Sequence, residues 1–170
     1  MQEDGIMSDQ LWVGPSRSGA ILRIDGYATG AVSVTAHAFI KQSLAVGTSW
    51  IGLDLSQAKG IDSTFIGGLI LLRQRHGNQR FGIGRPSEAI AKTIDTMRLG
   101  SLIKAEDTLP AVSGAWVPVP LEMYDNARLG RHVLQCHLKL AEQEGPQGSS
   151  FRALVDRLRC ELGDESEEQR

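Results

Sequence analysis

The residues with the most chemical reach stand together at Asp62-Ser63-Thr64, where they open a very apolar segment, Phe65–Leu72. A helix that starts there leaves backbone N–H groups unpaired and pointing outward. Asp62 is a suitable cap for them, and an unmodified Ser63 is commonplace at such a place. A phosphoryl group on Ser63 would bring three acceptor oxygens and nearly two negative charges. The helix N-terminus tolerates that charge, whereas Asp62 repels it. The larger effect is external, because a partner surface fitted to a neutral hydroxyl would then face a desolvated dianion. On local physics alone the structural cap is the plainer reading.

Other reactive side chains are scattered. The histidines are His37, His76, His132 and His137, and the cysteines are Cys136 and Cys160. His132 and Cys136 are four apart in a helix-like pattern, a spacing that lets two ligands share one face. No third ligand is evident nearby, and His137 points to a different face, so a surface pair is the plainer reading. The cysteines read as reduced thiols and not as a disulfide framework. Neither a Gly-x-Ser-x-Gly elbow nor a Walker-type loop occurs. Gly82-Ile83-Gly84 is a lone Gly-x-Gly before a helix and could approach a phosphate. A strand edge turning tightly is the favoured reading. Enzyme chemistry is thus poorly supported, and no catalytic residue, cofactor or metal is expected.

The elements that must position these groups follow from periodicity. The chain has 170 residues, enough for one domain with an appendage. Its net charge of -2 gives no global argument for direct nucleic-acid binding. Arg73, Arg75, Arg80, Arg85, Lys92, Arg98 and Lys104 make the middle mildly basic, which reads as a solvated face. The longest apolar run falls far short of the roughly 20 residues a membrane span needs. No signal peptide is visible behind Gln2-Glu3-Asp4, so a cytoplasmic protein is the default.

Residues 1–10 are polar and read as disordered. Leu11-Trp12-Val13 is a short strand ended by Gly14-Pro15, and the next strand starts at about Ile21, with a turn or bulge at Asp25-Gly26. Tyr27–Gly30 reads as a loop before a helix over Val32–Val46. Trp50–Leu55 is a buried strand, Thr64–Arg75 a buried helix with a basic exit, and Arg80–Gly84 another strand. Pro86-Ser87-Glu88 opens a third helix, which Gly100 stops. Ser101–Leu109 is a candidate edge strand. Strands alternating with helices imply an α/β layer with largely parallel central strands over residues 11–110. Residues 111–120, rich in proline, read as a linker. Residues 121–163 read as a helical extension, broken over Gly145–Ser150, with Ser149 or Ser150 capping its last helix. That extension is expected to pack on the domain through Phe151, Leu154 and Leu158; a homodimer seam and recognition of a particular partner are the other options. Residues 164–170 form an acidic tail.

The stretch "DLSQAKGIDSTFIGGL" closely resembles the signature of anti-sigma factor antagonists, the STAS domain family. Their pattern is a strand ending Asp-Leu-Ser, a short loop, then Asp-Ser-Ser/Thr-Gly-Leu-Gly opening a helix. "LRIDGYATGA" resembles the family's strand and loop before the first helix. "GIGRPSEAIAKTIDTMRLGSLI" resembles its later strand, its Pro-Ser helix start and its helix exit. The resemblance covers roughly Leu11–Leu109 and implies a mixed sheet of four to five strands with helices packed against it. It also implies that Ser63, with Thr64 as the alternative, accepts phosphate from a serine kinase that is itself an anti-sigma factor, and that a phosphoserine phosphatase resets the switch. ATP would belong to the kinase. The implied partner-binding tip is Tyr27, Ala28, Thr29 and Gly30 with Asp62, Ser63, Thr64, Phe65 and Ile66. Phe65 stands where the family has glycine, filling that space or contacting the partner. Two further readings stay open. One is a non-phosphorylated STAS-like scaffold or accessory subunit of a signalling or transport assembly. The weakest is a small-molecule binder or enzyme built on Gly82–Arg85.

Overall fold

The computed structural model describes residues 9–163, so the expected disorder over 1–8 and the acidic tail at 164–170 lie outside the described residues. Strands β1 (Gln10–Ser16) and β2 (Gly19–Ala28) form one antiparallel hairpin. The sequence suggests a break across Gly14–Ala20, yet only Arg17-Ser18 turn. Gln10 pairs with Asp25, and the Asp9 carboxylate accepts from the Tyr27 N–H at 2.8 Å, so order begins before Leu11.

Helix α1 (Gly30–Ala45) leads to β3 (Ile51–Asp54), β4 (Ala58–Ile61) and helix α2 (Ser63–His76). Then come β5 (Phe81–Gly84), α3 (Glu88–Thr96), the single turn α4 (Gly100–Ile103) and β6 (Val117–Val119). Helices α5 (Asn126–Ala141) and α6 (Pro146–Leu162) complete the fold. The sheet runs β5-β3-β2-β1-β6. β2, β3 and β5 are mutually parallel, and β6 is antiparallel to β1. β4 adds to the far end of β2, across a register shift at Gly26/Tyr27.

The expected mixed sheet, packed helices and C-terminal helical extension are therefore present, with six strands where four to five are expected. The additions are β4, in an apparent loop, and β6, inside the apparent linker. Two other expectations are corrected. Ser101–Leu109 is no edge strand: it begins with α4, and only Glu106 bridges to Gly84. The break in the extension lies at Glu142–Gly145 and not over Gly145–Ser150, because α5 ends at Ala141 and α6 starts at Pro146. The Ser149 and Ser150 hydroxyls bond back to Gly145 O and Pro146 O inside its first turn and cap nothing.

The core lies between the strands and helices α1 and α2. Leu22, Ile24, Leu53, Phe81 and Ile83 meet Ile40, Phe65, Ile66 and Ile70 there. Trp50 and Leu109 explain the glycines of β3 and β5. A Cβ at Gly52 or Gly82 would collide with the Trp50 indole, and one at Gly84 would collide with Leu109. Gly82 and Gly84 are therefore packing positions inside a straight strand, neither a tight turn nor a phosphate cradle. Arg73 is no part of a solvated basic face. It is buried and donates to the carbonyls of Phe81, Ile103 and Lys104, tying α2 to β5 and α4. Burial lowers its guanidinium pKa.

Candidate functional site

The site is built where two helices begin. Asp62 caps α2 by accepting from the Phe65 N–H at 2.8 Å on one oxygen. Its other oxygen accepts from the Gly30 N–H, the first residue of α1, at 2.7 Å. One carboxylate thus serves two helix N-termini, where both macrodipoles favour negative charge. The Asp62 N–H also donates to Ala28 O at 3.0 Å, which locks the β2 end to the start of α2. Thr29, the formal cap of α1, makes no side-chain cap bond, because Asp62 has taken that role from 32 residues away.

This arrangement sorts the expected tip residues. Tyr27 is 56% exposed, Asp62 is exposed, and Thr29, Gly30 and Ser63 are half-buried. Ala28 is buried and contributes only its carbonyl. Thr64 is buried with its side chain against Gly30. Phe65 and Ile66 are core residues, 2% and 0% exposed, and present no surface. Phe65 fills interior space under α1; it is not a surface contact residue.

Ser63 has a partner that sequence reasoning misses. Its hydroxyl lies 2.9 Å from His137 Nε2 on α5. The other ring nitrogen, Nδ1, is 2.8 Å from Val133 O and must carry the proton to bond there. Nε2 is then the acceptor, and Ser63 donates. A second pair repeats the motif one helix over: Ser33 Oγ on α1 lies 2.8 Å from His132 Nε2. The His37 ring stands edge-on to His132, 5.4 Å between centroids. Two histidines of α5 thus fasten it to hydroxyls on both underlying helices.

Glycine in α2 permits that close seat. A Cβ at Gly67 would collide with the Cys136 carbonyl, and one at Gly68 would press on Ser33 Oγ at 3.0 Å. Ile66-Gly67-Gly68 is therefore a notch that receives α5, where glycine allows backbone to approach backbone. Such a glycine pair inside a greasy helix was the available signal for the missed contact. Cys136 is buried in the notch, its thiol pushed up to about 12 by burial and by Asp62. His132 lies 3.5 Å from Cys136 Sγ, so the pair belongs to a helix interface and not to an open surface. No cluster of three or more His, Cys, Asp or Glu side chains among the described residues is arranged to hold a metal. The extension packs through α5 first, with Cys136, His137 and Leu140 buried. On α6, Val155 is buried and Phe151 touches the core, while Leu154 and Leu158 are half-buried.

As a chemical unit, Ser63 and His137 have the spacing of a nucleophile and its base, with the Val133 carbonyl orienting the ring. His137 is buried on α5, against Phe151 of α6, however, and the bond ties α5 to the start of α2. No helix among the described residues is long and apolar enough to cross a membrane.

No protein-family model matches the chain, and no curated protein matches it. Among solved structures, the chain is similar to the anti-sigma factor antagonist SpoIIAA in its unphosphorylated form. The two are 21% identical with a TM-score of 0.47, over 59% of this chain and 89% of that one. A likeness of this size transfers no residue's role.

Proposed function

We propose that the chain is an anti-sigma factor antagonist, a binding protein that captures a serine kinase/anti-sigma factor and is switched off by phosphorylation at Ser63. The observation that carries this reading is the placement of Ser63 as the first residue of α2, beside the exposed Tyr27 and the doubly bonded Asp62. A rigid tip that carries a serine hydroxyl at its edge, half-buried and covered on one side by α5, is what a phosphorylation-sensitive docking surface needs. Thr64, being buried, is the poorer acceptor. The binding surface is Tyr27, Thr29, Gly30, Asp62 and Ser63, with Ala28, Thr64, Phe65 and Ile66 supporting it from below. A phosphatase would return the protein to its binding form.

The Ser63–His137 bond adds a condition. While α5 is seated, the hydroxyl points its proton at a buried ring, so a kinase reaches it only after α5 lifts. A phosphoryl group there would have to fit between Ser63 Oγ and His137 Nε2, which stand 2.9 Å apart, and would meet the Asp62 carboxylate, and both oppose reseating. The same contact favours a second reading, a scaffold or accessory subunit in which Ser63 stays covered and serves only to hold α5.

Kinases of the same organism, incubated with the protein and ATP, separate the two. The switch predicts phosphate on Ser63 by mass spectrometry and loss of partner binding in Ser63→Asp. Equal partner binding by Ser63→Ala and Ser63→Asp would leave only the scaffold.

A further inference from the structure

Away from the tip, α1 and α5 diverge and leave a groove of about 570 Å³. Its walls carry His37 and Lys41 from α1, Arg75 from the end of α2, and Arg128, Arg131 and His132 from α5. Val34 and Ala38 give it an apolar floor, and no acidic residue lines it. The ion pairs among the described residues are Arg23–Asp25, Arg85–Asp54 and Lys139–Glu142, so none of the four groove cations is in one. Arg128 is held over the Tyr124 ring, 4.4 Å from its centroid, which orients its guanidinium.

We infer that the α1–α5 groove is a binding site for a small anion bearing two or more phosphate groups. Three guanidinium forks and one ammonium match phosphate oxygens by geometry as well as charge. Four like charges facing one cleft repel one another, and a bound polyanion removes that repulsion. The volume lies in the range of small-molecule sites, roughly 300–1,000 Å³. A nucleic acid or a bilayer would need an extended basic surface, and the net charge of -2 does not favour one. The shape therefore favours a small ligand whose non-ionic part rests on Val34 and Ala38.

His37 reports on the site. Burial, with His132, Lys41, Arg75 and His76 around it, lowers its pKa to about 4, and its Nδ1 has no hydrogen-bond partner. Arg128 and Arg131 face it across the groove. A polyanion among these cations offsets their field, so the ring must become easier to protonate when the site fills. The groove exists only while α5 is seated, so ligand also stabilises the seated state by mass action.

Inorganic tripolyphosphate is a suitable probe, used with the full chain at low salt. Calorimetry should show saturable binding that weakens as salt rises, and the His37 ring signal should titrate at higher pH with the probe present. Lys41→Gln with Arg131→Gln should weaken binding about tenfold or more, while Arg157→Gln, an exposed change on α6, should leave it intact. Circular dichroism of each variant establishes that it is folded. Inorganic phosphate binding as tightly as tripolyphosphate would reject the multi-phosphate requirement. Absence of binding at millimolar probe overturns the proposal, as does equal binding by the double variant. Tighter, groove-dependent capture of RNA or of anionic vesicles would replace the small ligand with a macromolecule. None of these outcomes depends on Ser63.

Discussion

Asp62 and Ser63 are adjacent in the chain and live under opposite conditions. Asp62 belongs to an open tip, where its carboxylate is exposed and its two oxygens are bonded to the starts of α1 and α2. Ser63 belongs to a covered flank, where its hydroxyl is bonded to a buried histidine of the C-terminal extension. The tip is held by local, charge-assisted bonds. The flank is held by helix-on-helix packing through a glycine notch. Any partner that addresses both must therefore meet an open surface and one that α5 covers.

The sharpest way to break this contrast is to fill the notch. Gly67→Val places branched carbons where the Cys136 carbonyl lies, so α5 cannot seat without backbone movement. Overpacking of this kind costs about 3 kcal/mol, and the lost α5 burial adds to it. Limited proteolysis should cut within residues 121–163 first, while the β1–β2 hairpin stays protected. Equal protection of the extension in wild type and variant would show that α5 is not held through the notch. In the proposed switch, the same variant should take phosphate on Ser63 faster.

The division between tip and flank was only half visible in the sequence. Helical spacing of Val32, Ala36, Phe39, Ile40 and Leu44 shows α1, the nearly all-round apolar run through Leu72 shows α2, and short runs around Leu53 and Phe81 show β3 and β5. Asp62 is legible as a cap by its place before a greasy helix, but its bond to Gly30 depends on β4 bringing α2 beside α1. That strand hides because Ala58-Lys59-Gly60-Ile61 holds one β-branched residue and its pairing is interrupted by a register shift. β6 hides because Pro118 sits in it, which a sheet edge tolerates and a linker also favours. His137 itself gave no signal, since its partner is 74 residues away and both residue types are ordinary on a helix; only the glycine pair of α2 hinted at the seat of its helix. The resemblance ends before the extension, so the flank is the part that only the structure displays.

A smaller effect sharpens the tip. Asp62→Ala removes a cap from α2 and a charge-assisted bond from α1, and should cost about 2–3 kcal/mol. Asp62→Asn keeps an oxygen for the Phe65 N–H but loses the charge that both dipoles favour, so it should cost about 1 kcal/mol. Thermal or urea unfolding measures both. Hydrogen exchange should quicken at Gly30 and Phe65 in Asp62→Ala while α5 amides stay protected. Loosening of α5 to the same degree would mean that tip and flank are one cooperative unit.

The mildest test uses pH and reads the flank alone. Burial, followed by the charges of His132, Lys41, Arg75 and His76, lowers the His37 pKa from 6.5 to about 4. The unfolded chain therefore takes up its proton at higher pH than the folded one. Stability linked to this ring is fully present above pH 6.5 and is lost as pH falls toward about 4. Discounted for the partial exposure of the ring, the loss is on the order of 2 kcal/mol. His132 and His76, also lowered chiefly by burial, act in the same direction. Urea unfolding of wild type and His37→Gln across this window isolates the share of His37, because the variant should show a flatter profile. The loss should be felt where α5 meets α1, with the extension becoming protease-sensitive before the tip does. Identical profiles for the two proteins would place the acid sensitivity elsewhere. Simultaneous loss at tip and flank would again join the two regions that Asp62 and Ser63 divide.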